Sequence, residues 1–210
     1  MNSKLLLFLA ASASLALGGC ASMSSEECVA SDWSAIGYED GARGYTTERF
    51  SKHRKACAKH GVTADFASYQ NGRDQGLLEY CQPGRGFNIG VNGGRYNGVC
   101  SVNLEADFLE AYNAGYHLYA LRSEVNGASN AIYSKERERE QIEDAMVENG
   151  IAMIADETTQ DDRIRLLAEM KQLSERSGEL ESEIENLREV RARAQLELEH
   201  YQVAVADMGY

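Results

Sequence analysis

The sequence predicts a mainly α-helical protein, with a small disulfide-stapled helical head that contains a glycine-rich β-hairpin loop, followed by a long antiparallel coiled-coil helical hairpin. Three observations predict this fold. Helix-capping residues precede short apolar segments, four cysteines follow Cys20, and the C-terminal part repeats apolar residues at steps of three and four. We predict a leader over residues 1–19, the head over 20–125 and an acidic arm over 126–210.

The first 19 residues have the composition of a bacterial signal peptide. Lys4 is followed by the apolar run 5–10 and by small residues that lead to Leu17-Gly18-Gly19-Cys20. The apolar run is too short to span a bilayer. The segment that ends at Cys20 resembles the site at which bacterial lipoproteins are lipidated and cleaved, so we expect a palmitate-bearing Cys20 at the mature N-terminus. The alternative is a plain cysteine after an ordinary cleavage site.

Lipidation predicts a protein that is anchored to a membrane without crossing it. Each buried methylene of an acyl chain contributes about 0.8 kcal/mol, and two chains already suffice for stable anchoring. No later stretch of the sequence reaches the roughly 20 apolar residues that a spanning helix needs. By resemblance to other Gram-negative lipoproteins, Ala21 in place of Asp after the lipidated residue implies sorting to the outer membrane, facing the periplasm.

Four further cysteines, Cys28, Cys57, Cys81 and Cys100, follow Cys20. An even number in an exported chain favours two disulfides, for which three pairings are possible. We favour Cys28–Cys57 and Cys81–Cys100, because the second pair brackets a glycine-rich segment that has little else to hold its ends together. Closing a loop of that size stabilises the fold by about 3 kcal/mol.

Three helices are predicted in the head before the third of these cysteines. Asp32 is expected to cap the first, residues 46–48 the second, and Thr63 or Asp65 the third. Glycine inside a helix costs about 1 kcal/mol relative to alanine. Because glycines recur three or four residues apart on one helix face, we expect the helices to approach closely at these positions, which are Gly41, Gly44, Gly72 and Gly76.

A β-hairpin is predicted between Cys81 and Cys100. Phe87, Ile89 and Val91 alternate there with polar or small residues before Asn92-Gly93. Alternation of this kind is typical of a half-buried strand, and Asn-Gly is the strongest short signal for a two-residue hairpin turn.

Five short motifs follow one another in the head with characteristic spacing. They are Cys28-x-x-x-Asp32-Trp33, Gly37-Tyr38-x-Asp40-Gly41, Tyr69-x-x-Gly72-Arg73-x-x-Gly76-Leu77, Tyr80-Cys81 and Tyr96-x-Gly98-Val99-Cys100. Over about residues 28–120 this pattern resembles an uncharacterised family of Gram-negative lipoproteins, known only as a domain of unknown function. The resemblance implies export and a head domain, but no activity, substrate or catalytic residue. The acidic arm lies outside it.

The arm is predicted to contain two long helices, over about 104–155 and 160–206. Apolar residues recur in both at alternating steps of three and four, as in a coiled coil. Pairs such as Met146 with Met170 and Ile132 with Ile184 have nearly constant sums of residue numbers, as an antiparallel pair requires. We therefore expect a hairpin within one chain. The alternative is a parallel coil between chains formed by 162–205 alone, and the oligomeric state stays open.

The net charge of the chain limits the classes of partner that we expect it to bind. Residues 21–128 contain 10 basic and 13 acidic residues, whereas residues 129–210 contain 10 basic and 20 acidic residues. An acidic surface repels nucleic acid and anionic headgroups, so we expect no nucleic-acid partner. The arm is instead expected to contact a protein of the cell envelope.

The sequence contains no strong motif for a catalytic site, a metal site or a cofactor site. His53, Cys57 and His60 share one helix face at steps of four and three, but Cys57 is expected to form a disulfide, so we predict no metal site. The glycines over 84–90 fit neither nucleotide-binding loop. We also expect no cofactor. The leading hypothesis is accordingly a non-enzymatic scaffold or interaction module of the cell envelope.

The alternative hypothesis is a small-ligand or cell-wall-fragment binding module, or a hydrolase, with its site in the head. Aromatic and arginine side chains in a cleft suit a saccharide or peptide. The candidate ligand-binding residues are Tyr38, Asp40, Tyr69, Arg73 and Tyr96.

Overall fold

The computed structural model describes residues 23–209, so the leader and Cys20 lie outside the described residues. Helices dominate this range and no strand occurs in it, which confirms the mainly α prediction. No helix among these residues is both long enough and apolar enough to cross a membrane. The helices are α1 Ser25–Val29, α2 Trp33–Ala42, α3 Glu48–Ala58, α4 Phe66–Tyr80, α5 Pro83–Val91, α6 Val102–Ile154 and α7 Gln160–Met208.

The chain divides into two compact units. The N-terminal unit runs to Tyr80 and includes Asn97–Val99, whereas the C-terminal unit comprises Cys81–Tyr96 and the chain from Cys100 onward. The first therefore contains α1 to α4, and the second contains α5 to α7.

Glycines bring α2 and α4 into backbone contact in the N-terminal unit. A Cβ atom added to Gly72 would lie 1.8 Å from the carbonyl oxygen of Ser34, and one added to Gly37 would lie 2.0 Å from that of Tyr69. No side chain fits at such distances, so only glycine allows the two helices to pack here.

The predicted glycine contacts are confirmed at three of four positions. Gly41 and Gly76 also lie against backbone of the opposite helix, as Gly72 does. Gly44 has another role: it follows the end of α2 with φ 70°, a left-handed conformation that glycine adopts without steric cost.

The core of the N-terminal unit lies beside this helix pair. The disulfide Cys28–Cys57 joins α1 to α3, and Asp32 caps α2 by accepting hydrogen bonds from two backbone amides. Both features were predicted. The buried residues of this core are Cys28, Trp33, Phe50, Cys57, Ala64 and Tyr69.

The β-hairpin prediction is wrong, because the segment forms helix α5. Pro83 occupies its first turn, where the missing N–H costs nothing. Asn92 and Gly93 end this helix instead of forming a hairpin turn. Gly93 has φ 67°, and the amides of Gly93 and Gly94 donate to the carbonyls of Gly90 and Ile89, both at 2.8 Å, in a helix-terminating Schellman motif.

The alternation that suggested a strand also contains a helical spacing. Phe87 and Val91 are four residues apart, and both pack against a buried cluster formed by Leu118, Leu121 and Leu198. Glycines again allow close contact, since a Cβ on Gly90 or Gly115 would lie within about 2.3 Å of backbone on the other helix of the α5–α6 pair. The predicted disulfide Cys81–Cys100 joins the segments just before α5 and α6.

Helices α6 and α7 pack side by side in the C-terminal unit. Their contacts pair Glu138 with Arg176 and Lys135 with Glu183, and the Tyr201 hydroxyl donates to a carbonyl near the start of α6. Residues earlier in α6 contact residues later in α7, so the two helices run antiparallel. The buried apolar residues between them are Leu118, Leu121, Ala128, Ile132, Ile142, Leu180, Ile184, Ala194, Leu198 and Val205.

Candidate functional site

A buried carboxylate lies at the centre of the N-terminal unit. Asp40 is 5% exposed, and its Oδ2 accepts a hydrogen bond from the Tyr69 hydroxyl at 2.9 Å. The same oxygen lies 2.9 Å from Nε2 of His53, and Nε of Arg49 lies 3.8 Å from Oδ1. Side chains from α2, α3 and α4 therefore meet at one carboxylate, which offsets the cost of burying its charge.

Tyr69 acts as a hydrogen-bond donor in this cluster. Its side chain is fully buried. Burial raises the pKa of Tyr69 well above its ordinary value of 10.0, and the hydrogen bond to Asp40 and the charge of that carboxylate raise the pKa further. The phenol thus stays protonated at neutral pH and stabilises the Asp40 carboxylate.

Arg73 supports the backbone that follows α2. Its Nε and Nη2 both donate to the carbonyl oxygen of Tyr45, at 3.1 and 2.9 Å. The guanidinium carbon of Arg49 lies 4.8 Å from the ring centroid of Tyr45, so a second arginine contacts the same residue. Because Arg73 is 7% exposed, this pair of hydrogen bonds fixes the turn between α2 and α3 and leaves little of the side chain for a ligand.

Part of the set of five candidate residues is brought together within one unit. Asp40, Tyr69 and Arg73 lie together in the N-terminal unit. Tyr38 is half-buried on α2, where a side-chain hydrogen bond with Glu79 raises its pKa. The fifth candidate belongs to the C-terminal unit.

Tyr96 has a structural role in the C-terminal unit. Its hydroxyl donates to Oε1 of Glu105 at 2.8 Å and accepts from the backbone amide of Cys100 at 2.9 Å. Its ring packs on Phe108, with the two centroids 4.8 Å apart. These contacts hold the chain around the second disulfide at the start of α6.

Sequence reasoning did not place two residues of this cluster beside Asp40. Arg49 and His53 lie one helical turn apart on α3 and both face Asp40. Of the three residues considered and rejected as metal ligands, His53, Cys57 and His60, Cys57 is bonded to Cys28 and His53 pairs with Asp40. Within residues 23–209 no group of three or more metal-ligating side chains is arranged to hold an ion.

An Asp–His pair occurs in many hydrolases, where the imidazole activates a hydroxyl or thiol nucleophile. In the described part of the chain, no Ser, Thr or Cys side chain hydrogen-bonds to His53. Oδ2 of Asp40, the oxygen that contacts His53, also accepts the hydrogen bond of Tyr69. The geometry is therefore that of a polar network that joins three helices.

Helices α2 to α5 and the start of α6 fall within residues 32–117, which match the family model described as Protein of unknown function (DUF2799). The match covers part of the chain. The resemblance to a domain of unknown function is thereby confirmed. The matched region contains the Asp40 cluster and both glycine-packed helix pairs, and the match ends at residue 117 inside α6. Comparisons with curated proteins and with solved structures found no match.

Proposed function

We propose that this protein is a membrane-anchored lipoprotein that acts as a non-enzymatic scaffold or protein-interaction module of the cell envelope. The observation that carries the proposal is a contrast in exposure. Asp40, Tyr69 and Arg73 are buried and bonded within the chain, whereas α6 and α7 expose large apolar side chains far from the DUF2799 residues in sequence.

The anchor part of the proposal rests on Cys20 and the leader before it. Acyl chains on this residue hold the protein at the outer membrane, and the folded units face the periplasm. Two disulfides suit that oxidising compartment.

The interaction part rests on α6 and α7. We infer that they form an antiparallel coiled coil, since a seam of apolar residues lies between them and ion pairs flank it. At 1.5 Å per residue, helices of this length extend roughly 70–80 Å, which gives a partner protein a long surface to contact. The arm is acidic, so nucleic acid is not its partner.

The anchor is tested by labelling cells with a palmitate analogue. Cys20→Ser is expected to abolish incorporation into this protein, whereas the control Ser22→Ala keeps it. Unchanged labelling of Cys20→Ser contradicts the anchor.

The interaction role is tested by placing a photo-crosslinking amino acid at exposed arm positions in living cells. Tyr133, Val147 and Val203 are 64, 63 and 67% exposed. At least one position should give a discrete covalent adduct with another envelope protein. If no exposed position of the arm gives an adduct, the arm is not an interaction module.

The hydrolase alternative draws support from the Asp40–His53 pair alone. It is tested by incubating the purified protein with isolated cell-wall sacculi and separating the soluble products by chromatography. We expect no release above that of the heat-denatured protein. Release that depends on His53 would overturn the non-enzymatic proposal.

A further inference from the structure

The burial of residues in the α6–α7 pair decreases near the turn that joins the two helices. No residue between 143 and 179 is buried, although the apolar seam continues through this segment with Met146, Met153, Met170 and Leu173. On the other side of this boundary, Ile142 and Leu180 are buried. The tip of the arm therefore has apolar seam residues that the chain itself covers only in part.

Large apolar side chains are exposed on the outer surface of the same tip. They lie at steps of four and three on α6 and three on α7, so each set occupies one helix face. We call these residues the tip surface: Val147, Ile151, Ile154, Ile164 and Leu167, which are 59–78% exposed.

Both helices contribute to one apolar groove at the tip. Met146 of α6 lines it together with six residues of α7, which are Ile164, Leu167, Ala168, Met170, Lys171 and Ser174. With Met146 and Met170 as seam positions, Val147 and Ile154 fall on the same flank of the antiparallel pair as Ile164 and Leu167. The groove and the tip surface are thus one continuous apolar face. The methionine side chains that line the groove adapt readily to a partner's shape.

A glycine in this face has no packing reason within the chain. Gly150 lies three residues after Val147 and four before Ile154, and an added Cβ would meet nothing within 4 Å. Glycine in a helix interior is destabilising by about 1 kcal/mol relative to alanine. At this position it leaves a notch between apolar side chains, where the backbone of another helix can approach.

Charge around the tip surface identifies the kind of occupant. Residues 143–175 include nine acidic and three basic residues, a net charge of −6. The basic side chains are engaged within the chain: Arg165 pairs with Asp162, Lys171 pairs with Glu175, and Arg163 donates to turn carbonyls. A second copy would bring a second charge of −6 to the interface, and anionic lipid would be repelled.

We propose that the tip surface binds a cationic amphipathic helix of a partner protein. The apolar face of that helix covers the tip surface and groove, its backbone approaches at Gly150, and its Lys and Arg side chains meet the acidic rim. This inference rests on the proposed interaction function and assigns the site and the chemistry of its partner.

The test uses a synthetic 18-residue peptide with leucine at helical positions i, i+3, i+4 and i+7 and lysine at the remaining polar positions, labelled for fluorescence anisotropy. The full mature chain is expected to bind it, with affinity that falls as salt rises. A matched peptide with glutamate in place of lysine is expected to bind at least about tenfold more weakly.

Two pairs of variants locate the site. Leu167→Ser is expected to weaken binding at least about tenfold, whereas Leu196→Ser, at a residue of similar exposure on the same helix, leaves it unchanged. Gly150→Leu fills the notch and weakens binding, whereas Gly127→Leu, at another open glycine of α6, does not. Circular dichroism checks that each variant keeps its helices.

Several outcomes overturn the proposal. Equal binding of the lysine peptide to Leu167→Ser and Leu196→Ser places the contact elsewhere. Equal binding of the lysine and glutamate peptides shows that the surface does not select a cationic partner. Self-association in sedimentation that Leu167→Ser abolishes identifies a second copy as the occupant. Leu167-dependent sedimentation with phosphatidylcholine vesicles identifies a membrane.

Failure of this inference is distinguishable from failure of the interaction role. If Leu167→Ser leaves the crosslinked adducts of the arm in cells unchanged, the arm still binds a partner but not through the tip surface. If no arm position gives adducts, the interaction role itself fails, whatever the peptide does.

Discussion

The α2–α4 pair and the α6–α7 pair are both two-helix contacts, but they are held together differently. In the first, backbone meets backbone at four glycines, and Tyr69 of α4 donates a hydrogen bond to Asp40 of α2. In the second, apolar side chains fill a seam that ion pairs flank. A glycine contact admits no added atom, whereas a side-chain seam can lose or gain atoms at many positions. The two pairs should therefore respond oppositely to the same substitution.

Gly72→Ala should have the largest effect. The added Cβ would meet the carbonyl of Ser34, a backbone atom that cannot rotate away, so the helices must separate. We expect a loss of about 3 kcal/mol or more in the free energy of unfolding, at or above the upper end for overpacking. Urea unfolding followed by the fluorescence of Trp33, the single tryptophan, reports on this unit. A loss below about 1 kcal/mol would show that the contact is adaptable.

Much of this contrast was predictable from the sequence, because both contacts leave a periodic signal. The seam of α6 and α7 repeats over many turns, so its helices could be placed from spacing alone. The spacing of Gly72 and Gly76 along one helix face likewise predicted that another helix approaches closely there. Gly37 was missed, since its contact depends on which helix lies opposite.

The prediction of the β-hairpin was wrong and that of the candidate site was incomplete, for different physical reasons. Phe87, Ile89 and Val91 fit a strand and a helix equally well in so short a run, and Asn92-Gly93 serves both a hairpin turn and a helix end. The Asp40–His53 contact joins residues on different helices, and no local spacing encodes it. Tyr96 was grouped with these residues by residue type alone.

The disulfide Cys28–Cys57 should have the next largest effect on the N-terminal unit. It closes a segment of 29 residues, for which loop-closure entropy gives about 3.6 kcal/mol. The double variant Cys28→Ser/Cys57→Ser should lower the free energy of unfolding by about 2–4 kcal/mol in the Trp33 assay. A double variant as stable as the oxidised protein would contradict this prediction.

Alkaline pH should lower the free energy of unfolding of the unit that contains the α2–α4 pair, because Tyr69 ionises. Its pKa is raised by folding, so its contribution to stability is complete below the unfolded value of 10.0 and is lost as pH rises above it. The added slope is at most about 1.4 kcal/mol per pH unit. Urea midpoints between pH 8 and 11.5 measure it. Tyr69→Phe removes this part of the slope because phenylalanine does not titrate, and an equal slope in that variant would assign the effect to other groups.

Gly178→Ala should have the smallest effect and the opposite sign to Gly72→Ala. Gly178 lies inside α7, where an added Cβ meets nothing within 4 Å, so the methyl group causes no clash. Alanine restricts the unfolded chain and favours the helix, which should raise the free energy of unfolding by about 0.5–1 kcal/mol. Thermal unfolding followed at 222 nm measures the gain in the long helices. A loss of stability at Gly178 would mean that the α6–α7 pair is as intolerant of added atoms as the α2–α4 contact, and the distinction between the two pairs would fail.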